Sequence, residues 1–417
     1  QAIPKALDVY SDMLRRRVIP DEDTYETLVQ LLVTRAHDII KAKEALEQER
    51  VRFGGMEEPG KFMLQSSELE RDLLAEDTSL SIAVKLFDTA TARHDRLVFP
   101  LEMYRHLIIA CAKEGKVEDM IRIYAHMESQ KMTPHATSFP SMITAFASTG
   151  DLKSAVECYN EYRGLAVSDD SGIFSIVQRQ DGQVYAALIR AYLSCGKEEG
   201  AIQFLDRIRS SFDEVIEGRQ DRWSAVEAVI IEDALVQHSL NAGDYSKALE
   251  QAKNQLHDET RNQAISRICI AAADAGDLPT ASEAYDSLPT APDVRQNPAI
   301  SLMALQVRRG DVSAARSLWI MLNTVGQATP DLVQPTAMYT VALLKSGNVE
   351  EGLHQARHMF KRIRSAAQDQ PHQRTDYRVT PSLWSHPHAV DRGSLSSVVY
   401  DTVVVHARER WPSVSSG

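Results

Sequence analysis

The sequence predicts an all-α fold, a right-handed superhelical solenoid of helical hairpins, and three observations lead there. A short phrase built on one glycine recurs seven times, as in "CAKEGKVEDMIRIY", "AFASTGDLKSAVECY" and "VRRGDVSAARSLW". Five residues beyond the glycine, small residues fill six of the seven slots: Ala155, Ala201, Ala248, Ala281, Ala315 and Gly352, with Met120 as the exception. No alternating apolar/polar strand pattern competes until "SSVVYDTVVVHARERW" near the end, which reads as a capping helix or a terminal strand, with the helix favoured.

Each hairpin is built in the same order. An apolar stretch of helical period such as "MYRHLIIACAKE" makes a first helix. The glycine then takes the left-handed conformation that ends a helix without a Cβ penalty. The frame glycines are Gly115, Gly150, Gly196, Gly243, Gly276, Gly310 and Gly347, spaced by 35, 46, 47, 33, 34 and 37 residues. The residue after the glycine is expected to stay exposed in the turn. The second helix starts on an apolar residue two beyond the glycine, except at Glu198, and carries an aromatic nine beyond it at Tyr124, Tyr159, Tyr285 and Trp319. The small residue lets a neighbouring helix cross closely. A single hairpin cannot bury both its faces, so the hairpins must stack. "RVIPDEDTY" and "KMTPHATSF" each end a second helix with Pro and lead into the next first helix.

At 417 residues the chain exceeds one compact core, a limit that an elongated array escapes. Its 43% hydrophobic and 25% charged residues are ordinary for a folded protein. No window approaches 18 uninterrupted apolar residues, so no membrane-spanning segment is expected. A net charge of −12 weighs against a simple nucleic-acid binder, while leaving room for a local basic stripe. Cys111, Cys158, Cys195 and Cys269 form no CxxC pair and sit in apolar helical patterns, which reads as buried reduced thiols. The opening "QAIPKALDVYSDML" has neither an initiator Met nor a cleavable signal, and reads as part of a longer protein.

Organisation along the chain is expected to be partial hairpins over 1–35, a charged insert over 36–80, clear repeats over 81–210, degenerate hairpins over 211–365, a linker over 366–395 and a cap or tail over 396–417. The centre of the insert, "FGGMEEPGKFML", places Phe53, Met56, Phe62 and Met63 in a stretch broken by Gly and Pro. Two readings stay open for it: a loop that buries its own apolar residues, or a partner-binding element of the kind solenoid insertions often supply.

"MYRHLIIACAKEGKVEDMIRIYAHMESQKMTPH" resembles a pentatricopeptide repeat in its length and its helix-ending Pro. "SFPSMITAFASTGDLKSAVECYNEY" and "VYAALIRAYLSCGKEEGAIQFLDRI" continue the resemblance, which covers residues 1–210. From 220 to 365 only the hairpin rhythm persists. Pentatricopeptide repeats commonly bind single-stranded RNA, one base per repeat. The family's base-reading slot follows the first-helix aromatic and is usually Asn, Thr or Ser. Here it holds Glu26, Arg105, Pro140 and Ala186, and the same offset later gives Asp233, Ser266, Ile300 and Ala337. Only Ser266 fits, so the family's code is essentially absent.

With the insert and the acidic total, the chain looks similar to fungal mitochondrial pentatricopeptide assembly factors of the NADH dehydrogenase membrane arm. That resemblance implies a non-enzymatic scaffold without cofactor, in the matrix or on the matrix face of the inner membrane. It implies protein subunits or a subcomplex of a respiratory-chain assembly intermediate as partners, with RNA disfavoured. The competing reading is an organellar RNA-binding factor acting in transcript processing, stability or translation, which needs a basic stripe through Arg105, Arg190 and Arg267. No catalytic order of Ser, His, Asp or Cys stands out. His354 and His358 share a helix face without a metalloprotease Glu between them, and reads as a solvated face; His386 and His388 sit in a Pro-broken loop. Arg15, Arg16 and Arg17 ahead of Asp21, Glu22 and Asp23 match the dipoles of two successive helices.

Overall fold

The computed structural model describes residues 2–52, 65–93, 98–168, 180–213, 220–325 and 333–368, all helices and short connections, with no strand among them. The insert residues Phe53, Met56, Phe62 and Met63, the pair His386 and His388, and the proposed C-terminal cap lie outside the described residues. The chain divides into two compact units: residues 1–41, 76–243 and 254–256 form unit 1, and residues 42–75, 244–253 and 257–417 form unit 2.

In unit 1, α1 (Ala2–Arg15) leads into α2 (Glu22–Arg52), whose distal end belongs to unit 2, as does α3 (Gln65–Ala75). Helices α4 (Ser79–Arg93), α5 (Leu101–Lys113), α6 (Val117–Ser129), α7 (Ser138–Ser148), α8 (Leu152–Ser168), α9 (Asp181–Ser194) and α10 (Glu198–Asp213) follow. Next comes α11 (Gln220–Ile230), which runs through a π-helical segment, Ile231–Val236, into α12 (Gln237–Asn241). Each first helix packs on its own second helix, α5 on α6, α7 on α8 and α9 on α10, and also on the first helix of the next hairpin, α5 on α7 and α7 on α9. Unit 2 repeats the scheme after α13 (Tyr245–Gln255), with α14 (Asp258–Ala275), α15 (Leu278–Ser287), α16 (Pro292–Arg309), α17 (Val312–Val325), α18 (Val333–Lys345) and α19 (Val349–Gln368). There α14, α16 and α18 are the stacked first helices. The predicted helical-repeat fold is borne out.

The glycine frame behaves as its chemistry requires. All seven frame glycines have positive φ, from 68° at Gly196 to 89° at Gly276. Around Gly115 the Lys116 amide donates to Cys111 O at 2.8 Å and the Gly115 amide to Ala112 O at 3.3 Å, the paired bonds that close a helix on a left-handed residue. The residue after the glycine does more than stay exposed. Asp151, Asp244, Asp277 and Asp311 each accept from a backbone amide three residues on, at 2.9–3.2 Å, so they cap the second helix. Lys116 in that slot instead donates to Ser81 Oγ at 2.6 Å on the preceding second helix.

The crossing positions are closed to bulk. Met120, Ala155, Ala248, Ala281 and Ala315 are fully buried, and a Cβ added at Gly352 would stand 2.8 Å from Leu344 Cδ2. The first-helix aromatics Tyr25, Tyr104 and Phe139 are also fully buried, each contributing on the order of 1.5–3 kcal/mol by leaving water. Aromatics nine beyond the glycine bridge to the next hairpin: Tyr124 hydroxyl donates to Glu161, Tyr159 meets Phe204 edge-on at 5.1 Å, and Trp319 stacks on Tyr339 at 4.9 Å. Many polar links join positions one repeat apart. Arg122 grips Asp88 with two bonds of 2.9 Å, and Ser246 meets Thr280 at 3.1 Å.

Two features were not anticipated. First, α2 runs on through the start of the charged insert to Arg52, where "AKEALEQERVR" is rich in helix formers and Arg50 Nε donates to Glu47 at 2.9 Å. Second, Arg17 and Lys131 adopt left-handed φ of 57° and 58° without being glycine. Each lies three residues before the Pro that follows a second helix.

Candidate nucleic-acid interface

In unit 1 the first helices stand side by side, so residues pointing away from their second helices form one shared side. On α5 that side carries Glu102, Arg105, His106, Ile109 and Lys113, all at least partly exposed. On α7 it carries Pro140, Ser141 and Thr144. Pro140 fits because it lies in the first turn of α7, where its missing N–H would have no helical acceptor. Its carbonyl accepts from Thr144 Oγ1 at 2.8 Å.

The slot residues behave unequally. Glu26, Arg105, Pro140, Asp233 and Ser266 are half-buried, whereas Ala186, Ile300 and Ala337 are buried. Ala186 is covered because α11 runs close along α9, where a Cβ added at Gly182 would meet Val229 Cβ at 3.1 Å. Counting back from Gly243 fails for a different reason. The π-helical segment holds more residues per turn, so Glu232 occupies the counted aromatic slot while Ile231 is buried.

The proposed arginines do not make a stripe. Arg105 is paired with Glu102, Nε to Oε2 at 2.9 Å, and its Nη2 lies 3.1 Å from His106 Nε2. Arg190 on α9 donates from Nη1 to the Asp233 carbonyl at 2.9 Å and reaches Thr144 Oγ1 at 3.4 Å. It therefore ties α7, α9 and the π-helical segment together as a structural fastener, and burial lowers its pKa. Arg267 is half-buried on α14 in unit 2, so these three residues belong to two units. His354 and His358 are exposed on α19, and the described residues hold no group of three metal-ligand side chains. None of the described helices is long and apolar enough to cross a membrane.

Sequence reasoning missed one constellation. His37 of α2 and His106 of α5 pair with ring centroids 5.6 Å apart, and Lys41 and Lys113 are close enough for their charge to act on His37. Burial lowers the pKa of both imidazoles, helped by Lys41, His106 and Lys113 at His37 and by Arg105 and Lys41 at His106. The one legible signal was His37 and Lys41 four apart, on one face of a helix.

Residues 92–149 match a pentatricopeptide repeat domain model, and 138–165 and 184–211 match the pentatricopeptide repeat model. Residues 225–324 match a tetratricopeptide repeat model. A comparison with curated proteins finds no match. Among solved structures, the chain is similar to the pentatricopeptide repeat protein PPR10 in complex with an 18-nucleotide psaJ RNA element, at 18% identity and a TM-score of 0.37, covering 98% of this chain and 51% of that one. The pentatricopeptide repeat protein PPR10 from maize matches at 14% identity and a TM-score of 0.35, covering 98% of this chain and 59% of that one. A circular tandem repeat protein of novel topology matches at 12% and 0.25, covering 98% and 88%. The chain thus spans roughly half the length of the PPR10 structures it matches. The expectation of respiratory-assembly subunits as partners, with RNA disfavoured, is corrected by these matches, because the PPR10 structures with a bound partner hold RNA.

Proposed function

We propose that this helical-repeat chain, which carries pentatricopeptide repeat matches through residues 92–165 and 184–211, binds single-stranded RNA along the side shared by the first helices of unit 1. The observation that carries the reading is the coincidence of those matches with α5–α6, α7–α8 and α9–α10, whose first helices pack in sequence. Repeats of this class take one base per helical repeat, read by two or three side chains.

In this chain the reading of bases is weak. Pro140 offers no side-chain donor or acceptor, Ala186 is buried, and Arg105 is already engaged by Glu102. Binding therefore rests on phosphate contacts and apolar surface such as Ile109, and discriminates poorly between sequences. With two or three phosphates neutralised, log K should fall with log salt at a slope of about −2. The test is competition between unlabelled homopolymers and duplex RNA for a labelled single strand. Single strands of different sequence should compete within about fivefold of one another and outcompete the duplex. Preference for the duplex, or no displacement by any single strand, would sink the reading. We also propose a mitochondrial matrix location, supported only by the resemblance of the repeats, to be checked by fractionation of tagged full-length protein.

A further inference from the structure

The α2–α5 cluster has an arrangement that packing alone does not account for. His37 and Lys41 stand one turn apart on α2; His106 and Lys113 lie two turns apart on α5. The two rings lie 5.6 Å apart, inclined at 39°. His37 Nδ1 is buried and has no hydrogen-bond partner. His106 Nε2 faces Arg105 Nη2 at 3.1 Å, and a guanidinium can only donate, so that nitrogen is the acceptor of a neutral ring. The charges that act on the pair from α2 are Lys41 and Asp38, and those from α5 are Arg105, Lys113 and Glu102. Lys41 thus acts on both imidazoles, Lys113 on His37 and Arg105 on His106, with a carboxylate on each helix as counterweight.

We propose that this cluster is a phosphate site for the RNA backbone, and that it takes up protons from solvent when the anion binds. It rests on the RNA reading above. An oxyanion beside Lys41 and the two rings gives His37 Nδ1 a partner once that nitrogen is protonated, and offsets the repulsion from Lys41, Arg105 and Lys113. Asp38 and Glu102 favour the imidazolium form throughout, so the anion adds to a bias already built in. The bound state then holds up to two more protons than the free state. By linkage, affinity rises as pH falls, up to tenfold per pH unit for each proton taken up. This site does not read bases. It fixes one phosphate at the junction of two helices.

The test uses the whole chain at constant ionic strength, with a labelled 15-nucleotide single-stranded RNA and, separately, inorganic tripolyphosphate. From pH 7.5 to 6.5 RNA affinity should rise about tenfold, and the His37 and His106 ring signals in proton NMR should move to higher pKa with either anion. The double substitution His37→Gln with His106→Gln should abolish the rise, while Lys41→Ala weakens binding at every pH. Should the double variant not fold, the NMR titration of the unaltered protein decides alone. Equal pH dependence in the double variant, or ring signals that ignore both anions, would overturn the site. RNA bound with a flat pH profile removes this site and leaves the RNA reading standing. Tripolyphosphate moving both rings while no RNA binds keeps an anion site and removes the RNA reading.

Discussion

Gly150→Ala isolates the conformational demand of the frame from its packing. Gly150 has φ of 78°, and a Cβ built on it meets nothing within 4 Å. No steric term enters, so the cost is that of holding an L residue in the left-handed region, about 1–2 kcal/mol. A stiffer unfolded chain returns about 0.4–1 kcal/mol, which leaves a net loss of about 1 kcal/mol for Ala. Asn, which visits this region readily, should lose less, and the β-branched Val should lose up to about 3 kcal/mol. The helix-closing bonds, Asp151 amide to Phe146 O and Gly150 amide to Ala147 O, both 3.0 Å, are held by this conformation. Because the chain has two units, a single unfolding midpoint mixes them. Native-state hydrogen exchange of the α7 and α8 amides reads the local free energy instead. The expected order of loss is Val, then Ala, then Asn. Equal losses for all three, or no loss for Val, would refute the capping argument. Lys131, left-handed at 58°, runs the same argument backwards: Lys131→Gly should raise protection at the end of α6 by up to about 1 kcal/mol.

Three other outcomes follow from individual side chains. Arg190→Met keeps the aliphatic stem but withdraws the donor from the Asp233 carbonyl, so it should lower stability by about 1.5–3 kcal/mol in urea unfolding and change RNA affinity little. Asp274, on α14, is pushed up to about 6 by burial, against the pull of Arg50 and Arg308. Its native carboxyl holds a proton to higher pH than the unfolded one, so it lowers stability progressively as pH rises from about 4 through 6; Asp274→Asn should gain on the order of 1–3 kcal/mol at pH 7.5 and almost nothing at pH 4, read from native-state hydrogen exchange of the α14 amides. Burial pushes the Cys111 and Cys269 thiols up to about 12 and also raises Cys158, whereas Cys195 is only half-buried, so a thiol reagent on the native protein should label Cys195 first among these four.

What the sequence made legible is what residue type alone can carry. A left-handed helix end selects glycine, so Gly115 through Gly347 announced seven hairpin turns; a close helix crossing selects Ala, so Ala155 and Ala281 marked the seams. Arg17 and Lys131 are left-handed too, but long basic side chains carry no mark of that conformation. The π-helical turn at Ile231–Val236 has ordinary residues and was invisible, and it displaced the slot count that pointed to Asp233. Extension of α2 to Arg52 carries no repeat signal; its only mark is the run of helix formers in "AKEALEQERVR". The candidate site was legible only as single residues. Whether Arg105 and Arg190 were available depended on Glu102 one turn away and on a carbonyl in another hairpin. His37 and His106 lie far apart in the sequence and meet only through the packing of α2 on α5.

The most direct measurement is fluorescence anisotropy of a 15-nucleotide single-stranded RNA titrated with the whole chain at several salt concentrations. Saturable binding that weakens with a log–log slope of about −2, and that Lys41→Ala impairs, is the predicted result. Absence of binding at 50 mM salt, or binding that Lys41→Ala leaves untouched and salt does not weaken, would contradict it.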